Sequence, residues 1–128
     1  MNSGGVLVSD VRVLVVDDHE SFRRAVAAVV EETEGFVVVG SAESGEQSLT
    51  LLSQTTADLV LMDVNLPGID GIEATRRLTA CANAPVVVLL STYDEAEVDY
   101  QGCGAAGYIT KDAFGPDRLT DVWSAAIS

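Results

Sequence analysis

Basic residues are scarce in this chain: seven Lys and Arg stand against twenty Asp and Glu, a formal net charge of −13 at pH 7. A field of that sign repels a phosphate backbone instead of holding it by counterion release, so direct nucleic-acid binding is disfavoured. Cysteine is rarer still. Cys81 and Cys103 are the only two, they have no CxxC or other metal-ligand spacing, and a lone pair in a chain of this length does not form a disulfide framework. Both read as reduced packing residues. The longest apolar run is Ala25 to Val30, far short of the roughly 20 residues that cross a bilayer. The N-terminus carries neither a basic region nor an apolar signal core, which makes the cytoplasm the expected location, with no membrane association. Histidine occurs once, at His19, and reads as an exposed residue at a helix start.

What remains is an ordinary globular composition. The 128 residues are 48% hydrophobic and 21% charged, enough apolar side chain for one core and too short for two domains. Residues 1–10, with Gly4, Gly5 and two serines but no sustained periodicity, read as a flexible arm without function. Residues 11–128 read as the folded domain. There, Val11 to Val16 is a β-branched run ending in Asp17 and Asp18, the pattern of a strand buried on both faces. Phe22, Ala25, Val26, Val29 and Val30 then repeat at helical spacing, with Gly35 past the end.

The unit recurs. Phe36 to Val39 forms a second strand, and Ser44-Gly45-Glu46-Gln47 resembles a capping box opening a helix that turns Leu49 and Leu52 inward. Leu59 to Met62 forms a third strand ending in Asp63, and a helix from about Asp70 to Leu78 follows the Leu66-Pro67-Gly68 turn. Val86 to Leu90 is the strongest buried strand, ending in Ser91. Gly107 to Thr110 runs into Lys111, and Pro116 opens a last helix carrying Leu119, Val122, Trp123 and Ala126 inward. Alternating strands and helices with apolar strands call for a parallel sheet covered on both faces, because crossovers between parallel strands are right-handed.

In such open sheets ligands bind beyond the carboxyl ends of the strands. Asp17 and Asp18, Asp63, Ser91 and Lys111 all stand at those ends. Taken singly, a polar residue at a strand end is usually a solvated loop residue; here four strands send polar groups to one edge. Three carboxylates within about 4 to 6 Å repel by roughly 3 to 4 kcal/mol per pair at an effective dielectric near 20. A hard divalent ion resolves that repulsion, and an all-oxygen set with no His or Cys positioned to join it selects Mg²⁺. A hydrated Mg²⁺ facing a lysine and a serine fits phosphoryl transfer, with a carboxylate as nucleophile, and Asp63 is the central candidate.

The segments Val15-Val16-Asp17-Asp18-His19, Met62-Asp63-Val64-Asn65-Leu66-Pro67-Gly68-Ile69-Asp70-Gly71, Leu90-Ser91-Thr92-Tyr93-Asp94 and Gly107-Tyr108-Ile109-Thr110-Lys111 together resemble the receiver domain of two-component response regulators. They are most similar to the NarL/FixJ group, whose receivers precede a LuxR-type helix-turn-helix output. The likeness runs from about Val11 to the C-terminus. It implies a flavodoxin-like (βα)5 fold, a doubly wound sandwich with strand order 2-1-3-4-5. It implies that Asp63 is the phosphoacceptor and that Asp18, Asp63 and the backbone carbonyl of Asn65 hold Mg²⁺, with Asp17 acting directly or through water. Lys111 would pair with a phosphoryl oxygen, and the Ser91 hydroxyl would donate to another. Tyr108 would be the switch aromatic, turning inward as Ser91 moves toward the phosphate, with both arrangements sampled before phosphorylation.

The same resemblance implies a sensor histidine kinase as phosphodonor. It also implies either a C-terminal helix-turn-helix DNA-binding output domain, of which these 128 residues contain none, or action through partner proteins or a homodimer. Such a switch assists its own phosphorylation and dephosphorylation and turns over no metabolite, so it is not an enzyme in the usual sense. Two features depart from the pattern. The stretch from Ser91 to Lys111 is about half a helical turn short and contains Gly102 and Gly104, which predicts a shortened or mobile fourth helix. Asp112 stands where many receivers carry proline, and a trans bond after Lys111 is the default. Two other classes compete. A haloacid dehalogenase-type phosphohydrolase needs its nucleophile in DxD after the first strand, a spacing Asp17-Asp18-His19 lacks. A flavodoxin-like FMN carrier needs a Ser, Thr and Gly loop there, where Asp17, Asp18 and Glu20 would repel phosphate.

Overall fold

The computed structural model describes residues 10–128; the expected N-terminal arm, Asp10 excepted, lies outside the described residues. Five strands, β1 (Val11–Val16), β2 (Phe36–Ala42), β3 (Leu59–Asp63), β4 (Val86–Ser91) and β5 (Gly107–Thr110), form one sheet in the order β2-β1-β3-β4-β5. Every neighbouring pair is parallel. Among the described residues there are four α-helices: α1 (Glu20–Glu32), α2 (Gly45–Leu52), α3 (Gly71–Thr79) and α4 (Pro116–Ile127).

Because strand side chains alternate between faces, the apolar strands feed two cores. Val13, Val15, Leu61, Leu90 and Ile109 pack beneath α1 and α4 with Val26, Val30 and Leu119. Leu14, Val16, Val60, Met62 and Leu89 pack beneath α2 and α3 with Ala74 and Leu78. From β1 the chain passes to β2 on one side and β3 on the other, so the direction of winding reverses beside the carboxyl end of β1. A crevice belongs at that reversal.

Local chemistry sets the helix starts. Ser44 Oγ accepts the N–H of Gln47 at 3.0 Å, and Asp70 Oδ1 accepts the N–H of Glu73 at 2.8 Å, each satisfying a backbone donor that the helix itself leaves open. Pro116 takes the first position of α4, where its missing N–H costs nothing.

Several expectations are corrected. β2 runs past Val39 to Ala42, because the ladder shifts register between Val13 and Leu14 and then continues beside Leu14, Val15 and Val16. No α-helix of any length forms between β4 and β5: one 3₁₀ turn, Glu95–Glu97, stands there. Gly102 and Gly104 take φ of +76° and +99°, a left-handed region no α-helix passes through. At Gly104 the backbone also presses on Thr79, whose Oγ1 donates to the carbonyl of Cys103 at 3.0 Å. Val98, Tyr100, Cys103 and Ala105 cover the sheet in place of a helix. Cys103 is the expected buried packing residue, whereas Cys81 is exposed, because α3 has ended at Thr79 and the chain has left the core. Trp123 is half-buried at the rim of the α1 and α4 core. All described peptide bonds are trans, including that after Lys111. No described helix is long and apolar enough to cross a membrane.

Candidate functional site

The parallel sheet brings every strand's carboxyl end to one edge. Asp17 and Asp18 follow β1, Asp63 closes β3, Ser91 closes β4, and Lys111 follows β5. The side chains of Asp17, Asp18 and Asp63 gather there with that of Lys111. Lys111 Nζ lies 3.0 Å from Asp17 Oδ2 and 3.4 Å from Asp63 Oδ1. Asp17 and Asp63 are 1% and 2% exposed, so one ammonium serves two carboxylates that are almost wholly out of water. Asp18, at the mouth, is exposed.

Each carboxylate is oriented by nearby backbone. Asp17 Oδ1 accepts the N–H of His19 at 2.8 Å, and Asp63 Oδ1 accepts the N–H of Asn65 at 3.3 Å. Asp17 Oδ2 is buried without any aligned hydrogen bond and has only the Lys111 ammonium for company. Burial, and then the charge of Asp17, pushes the Asp63 carboxyl up to about 6, although Lys111 and the Asn65 N–H pull the other way. Without a further cation, the Asp63 carboxyl therefore ionises only as pH rises through about 6.

The donor set answers which cation fits. Asp17, Asp18, His19 and Asp63 each place one ligand atom within 4.8 Å of all the others. Three of these are carboxylates, one with an unsatisfied buried oxygen, and this suits a hard ion that prefers oxygen and retains waters. The expectation that no histidine could join the set is corrected. His19 is the N-cap of α1, and the turn into that helix brings its Nδ1 to 3.3 Å from Asp18 Oδ1. Its side chain is 70% exposed, and imidazole is a poor partner for Mg²⁺ beside three carboxylates.

Ser91 is fully buried, and its Oγ accepts the N–H of Tyr93 at 3.0 Å. It makes no hydrogen bond to the carboxylates, and its own hydroxyl proton is uncommitted. Tyr108 is buried, with its hydroxyl donating to the Tyr93 carbonyl at 2.7 Å. Asn65 is exposed at the head of the β3–α3 loop.

Four contributors escape a reading of the sequence. Phe22 reads there only as a core residue, yet its ring centroid stands 4.3 Å from Lys111 Nζ. An ammonium is attracted to an aromatic face, and the ring shields it from water. Arg23 donates from Nη1 to the Asp17 carbonyl at 2.8 Å. Glu46, on α2, accepts the N–H of Ile69 at 3.0 Å and so ties the β3–α3 loop to its neighbour; that hydrogen bond holds its carboxyl below the usual range. Gly71 abuts the backbone carbonyl of Asp63. Helical spacing exposes none of these pairings, although the glycine straight after the α3 N-cap was a visible cue for close approach.

Comparison with known proteins agrees with this fold. The family model of the response regulator receiver domain matches residues 13–123. Response regulator GacA of Pseudomonas viridiflava is 43% identical over 105 residues, covering 80% of this chain and 49% of its own length. Response regulator UvrY of Escherichia coli K12 is 36% identical over 105 residues, covering 80% and 48%. The chain thus spans about half the length of these relatives. Among solved structures, the signal receiver domain of response regulator NarL from Mycobacterium tuberculosis superposes with a TM-score of 0.83 at 32% identity, over 94% of this chain and 98% of that one. Response regulator ChrA of a heme-sensing two-component system gives 0.73 at 34%, over 93% and 57%.

Proposed function

This chain belongs to the response regulator receiver family, and from that premise we propose that Asp63 is its phosphoacceptor, charged by the phosphohistidine of a sensor histidine kinase. Membership sets aside the haloacid dehalogenase-type and FMN-carrier alternatives and makes the domain a phosphorylation-dependent signalling module. The observation that carries the site assignment is the position of Lys111 Nζ, 3.0 Å from Asp17 Oδ2 and 3.4 Å from Asp63 Oδ1, at the switch-point edge of the sheet.

In the reaction, a carboxylate oxygen of Asp63 attacks phosphorus. The bond between phosphorus and the donor imidazole nitrogen breaks, its electron pair stays on that nitrogen, and an acyl phosphate forms on Asp63. Lys111 neutralises charge on the incoming phosphoryl oxygens, while the free Ser91 hydroxyl proton is available to donate to one of them. Asp17, Asp18, Asp63 and the Asn65 carbonyl are the groups that would hold Mg²⁺. When bound, Mg²⁺ supplies positive charge beside the entering phosphoryl group. Tyr108, joined to Ser91 through Tyr93, reports occupancy at the β5 surface.

The receiver unit spans residues 11–128 in this reading and turns over no metabolite. The matched stretch is only about half of each relative's own length, which supports a helix-turn-helix output segment as the target of the signal, with partner proteins or a homodimer as the other routes. The location is cytoplasmic, where a histidine kinase can reach it.

Incubation with acetyl phosphate and Mg²⁺, followed by intact mass, tests the assignment. One added phosphoryl group is expected on wild type, with none on Asp63→Asn and none after chelation. An adduct of equal yield on Asp63→Asn overturns the choice of acceptor, and no adduct on wild type overturns the switch.

A further inference from the structure

The segment between β4 and β5 does more than cover the sheet. Its one large side chain on the core, Tyr100, lies with its ring 5.2 Å from that of Tyr108, the planes 24° apart, an offset stack. The Tyr100 hydroxyl donates to the carboxylate of Glu95. Tyr108 donates to the Tyr93 carbonyl at 2.7 Å, and the Tyr93 N–H donates to Ser91 Oγ at 3.0 Å. A continuous chain of contacts therefore runs from Ser91, at the sheet edge that carries Asp63, through Tyr93, Tyr108 and Tyr100 to Glu95 on the exposed face.

Tyr108 is gripped twice along this chain. Its hydroxyl is fixed by a backbone carbonyl at one end and its ring is held by Tyr100 along the face. For Tyr108 to rotate outward, both contacts must break. Tyr100 itself is not free to follow, because its hydroxyl is tethered to Glu95 in the 3₁₀ turn, whose own ends are pinned by the Asp94 N–H donating to Glu97 Oε1 at 3.0 Å.

We propose that Tyr100 is a positioning residue for the switch: stacked on Tyr108 and tethered to Glu95, it holds Tyr108 in the inward orientation before Asp63 is modified. The role of Tyr108 as a reporter rests on the function proposed above; the position of its ring does not. The crossover thus does the work of a helix face by means of two aromatic rings and one carboxylate. The resting orientation of Tyr108 is set at the surface, by Glu95, as well as at the phosphoryl-accepting edge. By linkage, whatever engages Glu95 alters the ease with which Ser91 and Tyr108 move together.

The protein labelled with 3-fluorotyrosine carries three fluorine probes, at Tyr93, Tyr100 and Tyr108, assigned by single Tyr→Phe variants. One narrow Tyr108 resonance, insensitive to solvent isotope, is expected for the unphosphorylated wild type. In Tyr100→Ala the Tyr108 signal is expected to broaden or split, its solvent isotope shift rising several-fold. Tyr100→Phe keeps the stack but loses the tether and should fall between the two. Glu95→Ala should match Tyr100→Phe, and Glu95→Gln, which retains an acceptor, should restore the wild-type signal. Trp123 fluorescence and near-ultraviolet circular dichroism confirm that each variant is folded. An unchanged Tyr108 resonance in folded Tyr100→Ala overturns the proposal. If that variant does not fold, Tyr100→Phe and Glu95→Ala both indistinguishable from wild type overturn it equally. Acetyl phosphate labelling is run separately: failure of wild type to label would count against Asp63 and would leave the fluorine result standing.

Discussion

The α-carbon of Gly71 lies against the backbone carbonyl of Asp63 so closely that a Cβ there would overlap the Asp63 oxygen and crowd Val64. The Gly71 N–H donates to the Val64 carbonyl at 2.9 Å, which closes the β3–α3 loop into a tight return. The obstacle is backbone, so no rotamer change relieves it. Gly71→Ala is expected to cost about 1 to 3 kcal/mol, in the range for overpacked sites, and to displace the candidate acceptor. Urea unfolding with acetyl phosphate labelling checks both. A variant within 0.5 kcal/mol of wild type, labelled at the normal rate, would contradict the close approach.

Lys111 compensates two buried carboxylates, so its loss should be felt most without metal. Lys111→Met is expected to destabilise the chelated protein by about 1 to 3 kcal/mol, the penalty for leaving buried polar groups without a partner. Added Mg²⁺ should recover part of that loss. Thermal unfolding with and without Mg²⁺ measures it, and equal destabilisation in both conditions would assign Lys111 a packing role.

The raised Asp63 carboxyl makes a pH prediction for the metal-free protein. Its ordinary value is 3.8 and its folded value about 6. The folded state holds this proton more tightly, so the resulting stabilisation is complete below pH 3.8 and is lost as pH rises through about 6. Asp63→Asn cannot ionise, and its stability relative to chelated wild type should grow between about pH 4 and 7 and then level off. Denaturant midpoints across that range test this; a flat difference would show that burial and the Asp17 charge do not raise the Asp63 carboxyl.

Asp18 is the exposed member of the acidic set, which separates affinity from folding. Asp18→Asn should leave metal-free stability within about 0.5 kcal/mol, as surface changes do, while weakening Mg²⁺ binding at least tenfold. Calorimetric titration provides the affinity. A binding constant unchanged by Asp18→Asn would exclude it as a ligand.

Much of the fold was legible in the chain because buried parallel strands write themselves as short apolar runs. Val13 to Val16, Leu59 to Met62 and Val87 to Leu90 are both the apolar segments of the sequence and the buried heart of the sheet. Asp63, Lys111, Asp17 and Ser91 could be named because each follows such a run directly, and a parallel sheet brings those ends together. The crossover was less legible. Its acidic stretch carries weak helical spacing, and the forces that forbid a helix there, the φ of Gly104 and its contact with Thr79, involve residues distant in the chain.

Taken alone, the order of residues determined the number of strands and the sheet edge on which the acidic and other polar groups gather. Periodicity and charge are properties of a chain, and they survive without coordinates. Only the folded arrangement decided that one ammonium serves two buried carboxylates, that the Phe22 ring walls it in, that Gly71 leaves no room beside Asp63, and that Tyr100 rests on Tyr108. Each of those depends on distances across the sheet, where a fraction of an ångström separates contact from overlap, and spacing along the chain carries no such measure.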